Sequence, residues 1–173
     1  MVGQQVWTSD EQGIVVLDNG RWHLFDKSAG FGASAMRYLT LRSDGRICVS
    51  YNEAIGVTCF RYGDGRVSQL EHITPTDGIS GMVYYVGEDT QRRLWVGTGA
   101  GVDVVTPRGI DHFDQSDGNA GDDSTATAFF ADHDGSIWVG ATGGATHVFA
   151  QYYRGPLEPP RMTLLDARIG DEL

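Results

Sequence analysis

The sequence predicts an all-β fold made of about four repeats of one small antiparallel sheet, and three observations support it. The phrase Leu94-Trp95-Val96-Gly97-Thr98 is echoed by Ile137-Trp138-Val139-Gly140-Ala141, each followed by a Gly-rich turn and a second strand-like run. Fainter copies are Val6-Trp7-Thr8-Ser9, leading to Gly13-Ile14-Val15-Val16-Leu17, and Ile47-Cys48-Val49-Ser50, leading to Gly56-Val57-Thr58-Cys59-Phe60, with Cys in the Trp slot. The slots at 7, 48, 95 and 138 are spaced by 41, 47 and 43 residues. A period in the forties composed of short strands is the pattern of β-propeller blades. Finally, short runs of Val, Ile, Tyr, Phe and Thr alternate with Gly, Asp and Asn clusters, and no window sustains helical apolar spacing.

Each repeat divides into four strands, counted outward from the ring axis. The first repeat has the second, third and fourth strands at 5–9, 13–17 and 21–25, but no first strand. The second is complete, at 36–41, 46–51, 56–62 and 66–73. The third is complete as well, at 82–86, 93–98, 102–106 and 110–113. The fourth has three strands, at 125–130, 136–141 and 145–149. Asp44-Gly45, Asp64-Gly65 and Asp134-Gly135 mark hairpins, because Gly accepts the positive φ such turns need. Gln91-Arg92 replaces Asp-Gly in the third repeat, which predicts a looser turn there.

The expected blades are therefore about 1–35, 36–81, 82–124 and 125–153. Residues 154–173 begin as a Pro-rich linker, because Pro cannot donate to a ladder and Pro159-Pro160 favours a stiff extended path. A final strand at 161–168 either completes the fourth blade or starts a following domain.

Charge narrows the function classes. The 173 residues carry 13 Lys and Arg against 23 Asp and Glu, a net charge of −10, with no basic run. That argues against a nucleic-acid surface and against docking to anionic lipid. No apolar stretch approaches the ~20 residues of a spanning helix, so direct membrane insertion is not expected. Residues 1–5 have neither a basic region nor an apolar signal core, which fits a cytosolic protein or a piece of a longer exported chain. Cys48 and Cys59 fall on adjacent strands of one hairpin. They either form a cross-strand disulfide or, the commoner case, lie as two small buried hydrophobes; alone they do not make a zinc site.

The recurring Trp7, Trp95 and Trp138 invite a sugar-stacking reading, but a large ring fixed at one strand position in every repeat is better read as packing between blades. The Gly that follows then lets the neighbouring sheet approach. Recognition is expected on the long crossings between repeats, at 26–35, 74–80 and 114–124, and on first-strand residues facing the channel. The candidate ligand-binding residues are Arg37, Tyr38, Asp77, Tyr84, Tyr85, Asp117, Asn119 and Asp122. Polar groups beside aromatic planes suit a sugar or another small polar ligand. Residues 114–123 are acidic enough to test as a calcium loop, but Gln115 and Ser116 break the EF-hand spacing. The five His form no His-Glu-x-x-His pair, and neither a nucleophile elbow nor a phosphate loop is present, so no cofactor, metal or catalytic residue is assigned.

In its repeats the chain resembles the two-component regulator propeller repeat. The resemblance rests on Asp77-Gly78-Ile79-Ser80, Gly87-Glu88-Asp89, Leu94-Trp95-Val96-Gly97-Thr98 and Gly101-Val102, and again on Asp132-His133-Asp134-Gly135-Ser136-Ile137-Trp138-Val139-Gly140. Glu158-Pro159-Pro160-Arg161-Met162-Thr163-Leu164-Leu165 is similar to the join between such a propeller and the immunoglobulin-like domain after it. The resemblance implies a periplasmic, non-catalytic sensor segment of a membrane-anchored histidine kinase or diguanylate cyclase. Its signal would be a small molecule or carbohydrate. The alternative functions are an interaction scaffold without a small ligand, and a propeller lyase or hydrolase. Four blades in an arc leave two ends without neighbours, so the segment is expected to self-associate or to adjoin further blades of one parent.

Overall fold

A computed structural model describes residues 5–155, and the strand expected at 161–168 lies outside them. Fourteen strands form four separate antiparallel sheets, and no α-helix occurs among the described residues. The first sheet is β1 (Val6–Ser9), β2 (Ile14–Asp18) and β3 (Arg21–Phe25). The second is β4 (Met36–Leu41), β5 (Ile47–Tyr51), β6 (Val57–Gly63) and β7 (Arg66–Ile73). The third is β8 (Val83–Glu88), β9 (Leu94–Thr98), β10 (Gly101–Thr106) and β11 (Gly109–Phe113), and the fourth is β12 (Ser124–Ala131), β13 (Ile137–Ala141) and β14 (Gly144–Val148). Strands neighbour one another in sequence order throughout.

Three hydrophobic cores fill the gaps between the four sheets, and strand alternation sends the residues of sheets two and three to two of them each. On β5, Ile47 and Val49 face the first sheet, where they meet Ile14, Phe31 and Met36. Cys48, between them, faces the third sheet with Val83, Leu94 and Val96. On β9, Leu94 and Val96 face back while Trp95 faces forward onto Ile137 and Val139. The period of two along a strand is thus the device that ties sheets two and three to both neighbours. Contacts between sheets run chiefly through the first strands, with β8 touching both β4 and β12, which puts those strands nearest the axis.

The Trp slots behave as one position. Trp7, Cys48, Trp95 and Trp138 occupy equivalent places on β1, β5, β9 and β13, paired with Val16, Cys59, Val104 and His147. Trp7 packs edge-on to Tyr62 of the next sheet, ring centroids 5.0 Å apart. Trp95 is 2 % exposed beneath the fourth sheet. Trp138, with no fifth sheet among the described residues, is 41 % exposed and stacks on His147 at 4.2 Å. Packing between sheets accounts for Trp7 and Trp95.

Two expectations need correction. Cys48 and Cys59 are not separate hydrophobes but a disulfide, fully buried. The pair stands where the other sheets hold a Trp beside its cross-strand partner, so a covalent bond replaces ring packing. The 91–92 turn is not looser. Arg92 adopts φ 65° there, and Asp89 closes the loop by accepting the Gln91 and Arg93 amides at 2.9 and 3.0 Å. The same five-residue loop recurs in three sheets, closed by Arg42 N to Arg46 O, Asp89 N to Arg93 O and Asp132 N to Ser136 O.

The glycines two residues after Trp95 and Trp138, Gly97 and Gly140, have a role different from the one expected. A Cβ on Gly97 would lie 2.0 Å from the ring of Tyr85, its partner on the adjacent strand of the same sheet. Close approach of a neighbouring sheet is instead served by Gly87, whose Cβ would meet Phe129 of the fourth sheet at 2.1 Å. Gly97→Ala is expected to lower stability by about 1–3 kcal/mol, the usual cost of overpacking a filled core. Urea unfolding would read this as a lower midpoint with an unchanged slope. Replacing both cysteines by Ala is expected to cost about 2–4 kcal/mol in the same assay.

Candidate functional site

In sheets two to four the first strand leaves its ladder at the same point. Register breaks fall between Met36 and Leu39 on β4, between Val83 and Tyr85 on β8, and between Ser124 and Phe129 on β12. The extra residues push side chains out of the pleat, as bulges do. On β12 the bulge contains Thr127 at φ 58°, a left-handed conformation that a β-branched residue rarely takes. These bulges shape a hollow of about 730 Å³ along the axial side of sheets two to four, with Tyr38, Thr40, Arg42, Glu88, Thr127 and Phe129 among its walls. A neighbouring hollow of about 590 Å³, between the first two sheets, shares Tyr38 and adds Trp7, Glu11, Arg37 and Asn52.

The floor of the larger hollow is electrostatically closed. Arg42 Nε lies 2.9 Å from Glu88, its Nη2 donates to the Arg92 carbonyl at 2.9 Å, and the Ser43 amide donates to Glu88 at 2.6 Å. The Thr40 hydroxyl donates to the Val86 carbonyl. This clasp joins sheets two and three, and both charges are nearly buried, so each depends on the other for its solvation. Ring surface from Tyr38 and Phe129 flanks it.

The sequence candidates separate into three groups. Arg37 and Tyr38 stand on the β4 bulge and line the hollows. Tyr84, at the β8 bulge, lies half-buried beside Gly99. Tyr85 also borders the larger hollow, yet it is 2 % exposed, its ring held in the core between sheets three and four.

Asp77, Asp117 and Asp122 are engaged in the crossings. Each crossing carries a short 3-10 turn, at Lys27–Ala29, Pro75–Asp77 and Gln115–Asp117, closed by a left-handed Gly. Asp77 accepts the Thr74 amide at 2.8 Å, Asp117 the Asp114 amide at 3.1 Å and Asp122 the Gln115 amide at 2.7 Å. Asn119 is buried and bonds the Gly121 carbonyl, the Ala120 amide and Thr146. Asp117 and Asn119 also border a cleft of about 390 Å³ between sheets three and four, walled by Trp95, Phe113, His147 and Tyr153.

A second polar pattern escaped the sequence reading. The third strand carries a polar residue at one position in sheets two to four, Thr58, Asp103 and Thr146, which holds the crossing that leads into its own sheet, directly or through Tyr51. Asp103 is fully buried, accepts the Ser80 amide at 2.8 Å and holds His112 Nδ1 at 2.7 Å. Thr146 accepts the Ala120 amide at 2.8 Å. Thr58 contacts both His72 and Tyr51, whose hydroxyl in turn accepts the Gly32 amide at 3.0 Å. Ser80, Asp103 and His112 have the composition of a hydrolase triad but the wrong order. The carboxylate stands between serine and histidine, so the serine hydroxyl has no imidazole to take its proton. Among the described residues, no three His, Cys, Asp or Glu side chains converge as metal ligands would.

The stacked, sequentially paired sheets and their axial first strands settle the architecture. The chain is a β-propeller segment. No protein-family model matches the sequence, and no curated protein does. Solved structures do. The chain is similar to the extracellular domain of a putative hybrid two-component system from B. thetaiotaomicron, at 18% identity and a TM-score of 0.67, over 87% of this chain and 22% of that one. A second such extracellular domain from the same organism matches at 17% identity and TM-score 0.51, over 84% of this chain and 25% of that one. Virginiamycin B lyase from Staphylococcus aureus matches at 16% identity and TM-score 0.57, over 80% of this chain and 46% of that one. The chain thus spans about a quarter or less of the two extracellular domains and under half of the lyase.

The capping carboxylates give a test in acid. Asp26 is held below the usual carboxyl range by the Ser28 hydroxyl and amide, Asp77 by the Thr74 amide and hydroxyl, and Asp114 by the Ser116 hydroxyl and amide. A depressed folded value means that the stabilisation is complete above the unfolded value of about 3.9 and is lost as pH falls through the folded one. The amide resonances of Ser28, Thr74 and Ser116 should therefore titrate with midpoints below about 3.9. Asp114→Asn should abolish the Ser116 titration; midpoints at or above the ordinary value would contradict the caps.

Proposed function

We propose that this chain is a ligand-binding, non-catalytic segment of an extracytoplasmic sensor propeller, and that its ligand, a small polar molecule or carbohydrate, lies against the axial bulges. The observation that carries the reading is the hollow beside Tyr38 and Phe129, where ring faces adjoin the polar Thr40, Thr127 and the Arg42–Glu88 pair. Such a surface offers a sugar both an apolar face to stack on and polar groups to orient its hydroxyls. The buried disulfide supports an oxidising compartment, here the periplasm. The repeat motif supports membership in a membrane-anchored signalling protein. No helix of the described residues is long and apolar enough to cross a membrane.

A catalytic reading draws support from the lyase, which shares the fold. It lacks a nucleophile–base pair at Ser80, where Asp103 intervenes.

A thermal-shift screen of neutral and acidic oligosaccharides tests the proposal. A ligand present at a hundred times its dissociation constant is expected to raise the melting temperature by roughly 5–10 °C. Tyr38→Ala is expected to weaken that binding by up to about tenfold without unfolding the chain. Turnover of any of these glycans would overturn the non-catalytic reading. Binding that is indifferent to Tyr38 would overturn the site.

A further inference from the structure

One five-residue loop, at 89–93 between β8 and β9, touches both the axial hollow and the segment that follows β14. On its axial side Asp89 and Thr90 border the larger hollow, and the Arg92 carbonyl accepts Arg42 Nη2 at 2.9 Å. On its far side Arg93 donates to the Ala150 carbonyl and, at 2.9 Å, to that of Tyr153. Gln91 Nε2 donates to the Gln151 carbonyl at 3.3 Å. A Cβ on Gly135 would lie 3.3 Å from Thr90 and 3.4 Å from Gln151, so the loop and the segment also rest on the same turn of the fourth sheet.

Between these two sides the loop is stiff. The Asp89 side chain is fully buried. One of its oxygens accepts the Gln91 and Arg93 amides, and the other accepts Arg93 Nε at 2.6 Å and Trp95 Nε1 at 2.8 Å. The Asp89 backbone adds bonds to the Arg93 carbonyl and the Arg92 amide, at 3.1 and 2.9 Å. A loop cross-bonded in this way shifts as one piece, because moving either side alone would strip bonds from a buried carboxylate. The segment at 149–155 is softer. Its single 3-10 turn, Ala150–Tyr152, has two backbone bonds, Tyr152 N to Phe149 O and Tyr153 N to Ala150 O. Besides Arg93 and Gln91, the Tyr153 hydroxyl holds it to the third sheet by donating to Asp111 at 2.7 Å. One turn held from outside opens at less cost than a strand laddered on both sides.

We propose that the 89–93 loop couples the Arg42–Glu88 clasp to the segment at 149–155, so that a ligand lying against the clasp alters how firmly that segment is held to the third sheet. The ligand half rests on the function proposed above, and the coupling itself does not. Such coupling is reciprocal: what loosens the segment loosens the clasp by the same factor.

Hydrogen exchange of the full chain, read by NMR with no ligand present, tests the coupling. Arg42→Lys keeps a cation for Glu88 but gives up the guanidinium's second bond, to the Arg92 carbonyl. It is expected to speed exchange of the Tyr152 and Tyr153 amides roughly threefold or more, with the β9 amides unchanged. Arg46→Lys, in the neighbouring turn but paired with Asp44 and Glu71, should leave the two tyrosine amides as they are. In the reverse direction, Tyr153→Phe removes only the bond to Asp111 and should speed exchange of the Arg42 Nε proton by a similar factor. This variant carries the test if Arg42→Lys does not fold. Unchanged exchange at 152 and 153 in folded Arg42→Lys, or at Arg42 in Tyr153→Phe, would overturn the coupling. So would equal acceleration by Arg46→Lys, which would mean a general loosening of the second sheet. A glycan that raises the melting temperature should change the exchange of Tyr152 and Tyr153 by roughly threefold or more, and one that binds without doing so would overturn the ligand half. A chain that binds no glycan would overturn the function proposed above, and the ligand half with it, but not the coupling.

Discussion

Everything in this structure follows from giving each small sheet two apolar faces. A sheet with one apolar face can pack once and turn the other to water. Here β5, β9 and most of β6 and β10 are buried on both sides, so the inner strands of sheets two and three have no solvent face. Each must be covered twice, which forces the sheets into a series. Filling those gaps consumes the large side chains at fixed places. Trp7 and Trp95 fill two of them, while the Cys48–Cys59 disulfide stands in for the ring in the third.

Polar groups then fix how one sheet follows another. The crossings look like long recognition loops in the sequence, yet they are tight turns with aspartate or threonine at one end and a left-handed glycine at the other. The third-strand residues Thr58, Asp103 and Thr146 tie each incoming crossing to the sheet it enters, Thr58 through Tyr51. Arg93 adds a further brace, bonded to Asp89 and to the carbonyls of Ala150 and Tyr153, and thereby holds the end of the described chain against the third sheet. With the crossings so engaged, the irregular backbone available for recognition is concentrated at the first-strand bulges. This is why the axial hollow, rather than the acidic crossing at 114–124, is the better candidate site.

Much of this was legible in the residues. The strand boundaries at 36–41, 66–73 and 21–25 coincide with β4, β7 and β3, because Asp-Gly turns and alternating runs are local signals. The equivalence of positions 7, 48, 95 and 138 was readable from the period alone. The bulges were not, since nothing in Arg37-Tyr38 or Thr127 distinguishes a residue stepping out of a ladder from one within it. The sequence therefore places Tyr85 beside Tyr84 as a channel residue, whereas the register break turns its ring into the core over Gly97. The disulfide was undecidable for a related reason: two facing cysteines pack as well reduced as bonded. The loop at Gln91-Arg92 was misjudged because the residue that closes it, Asp89, lies just outside the dipeptide that usually marks a turn.

The central claim is that the slots at 7, 48 and 95 in the first three sheets are each roofed by the sheet that follows. It is tested most directly by the fluorescence of Trp95 in a variant whose other three tryptophans are Phe. The account predicts blue-shifted emission and almost no acrylamide quenching, as befits an indole that is 2 % exposed. Emission at the wavelength of free tryptophan, with quenching to match, would contradict it.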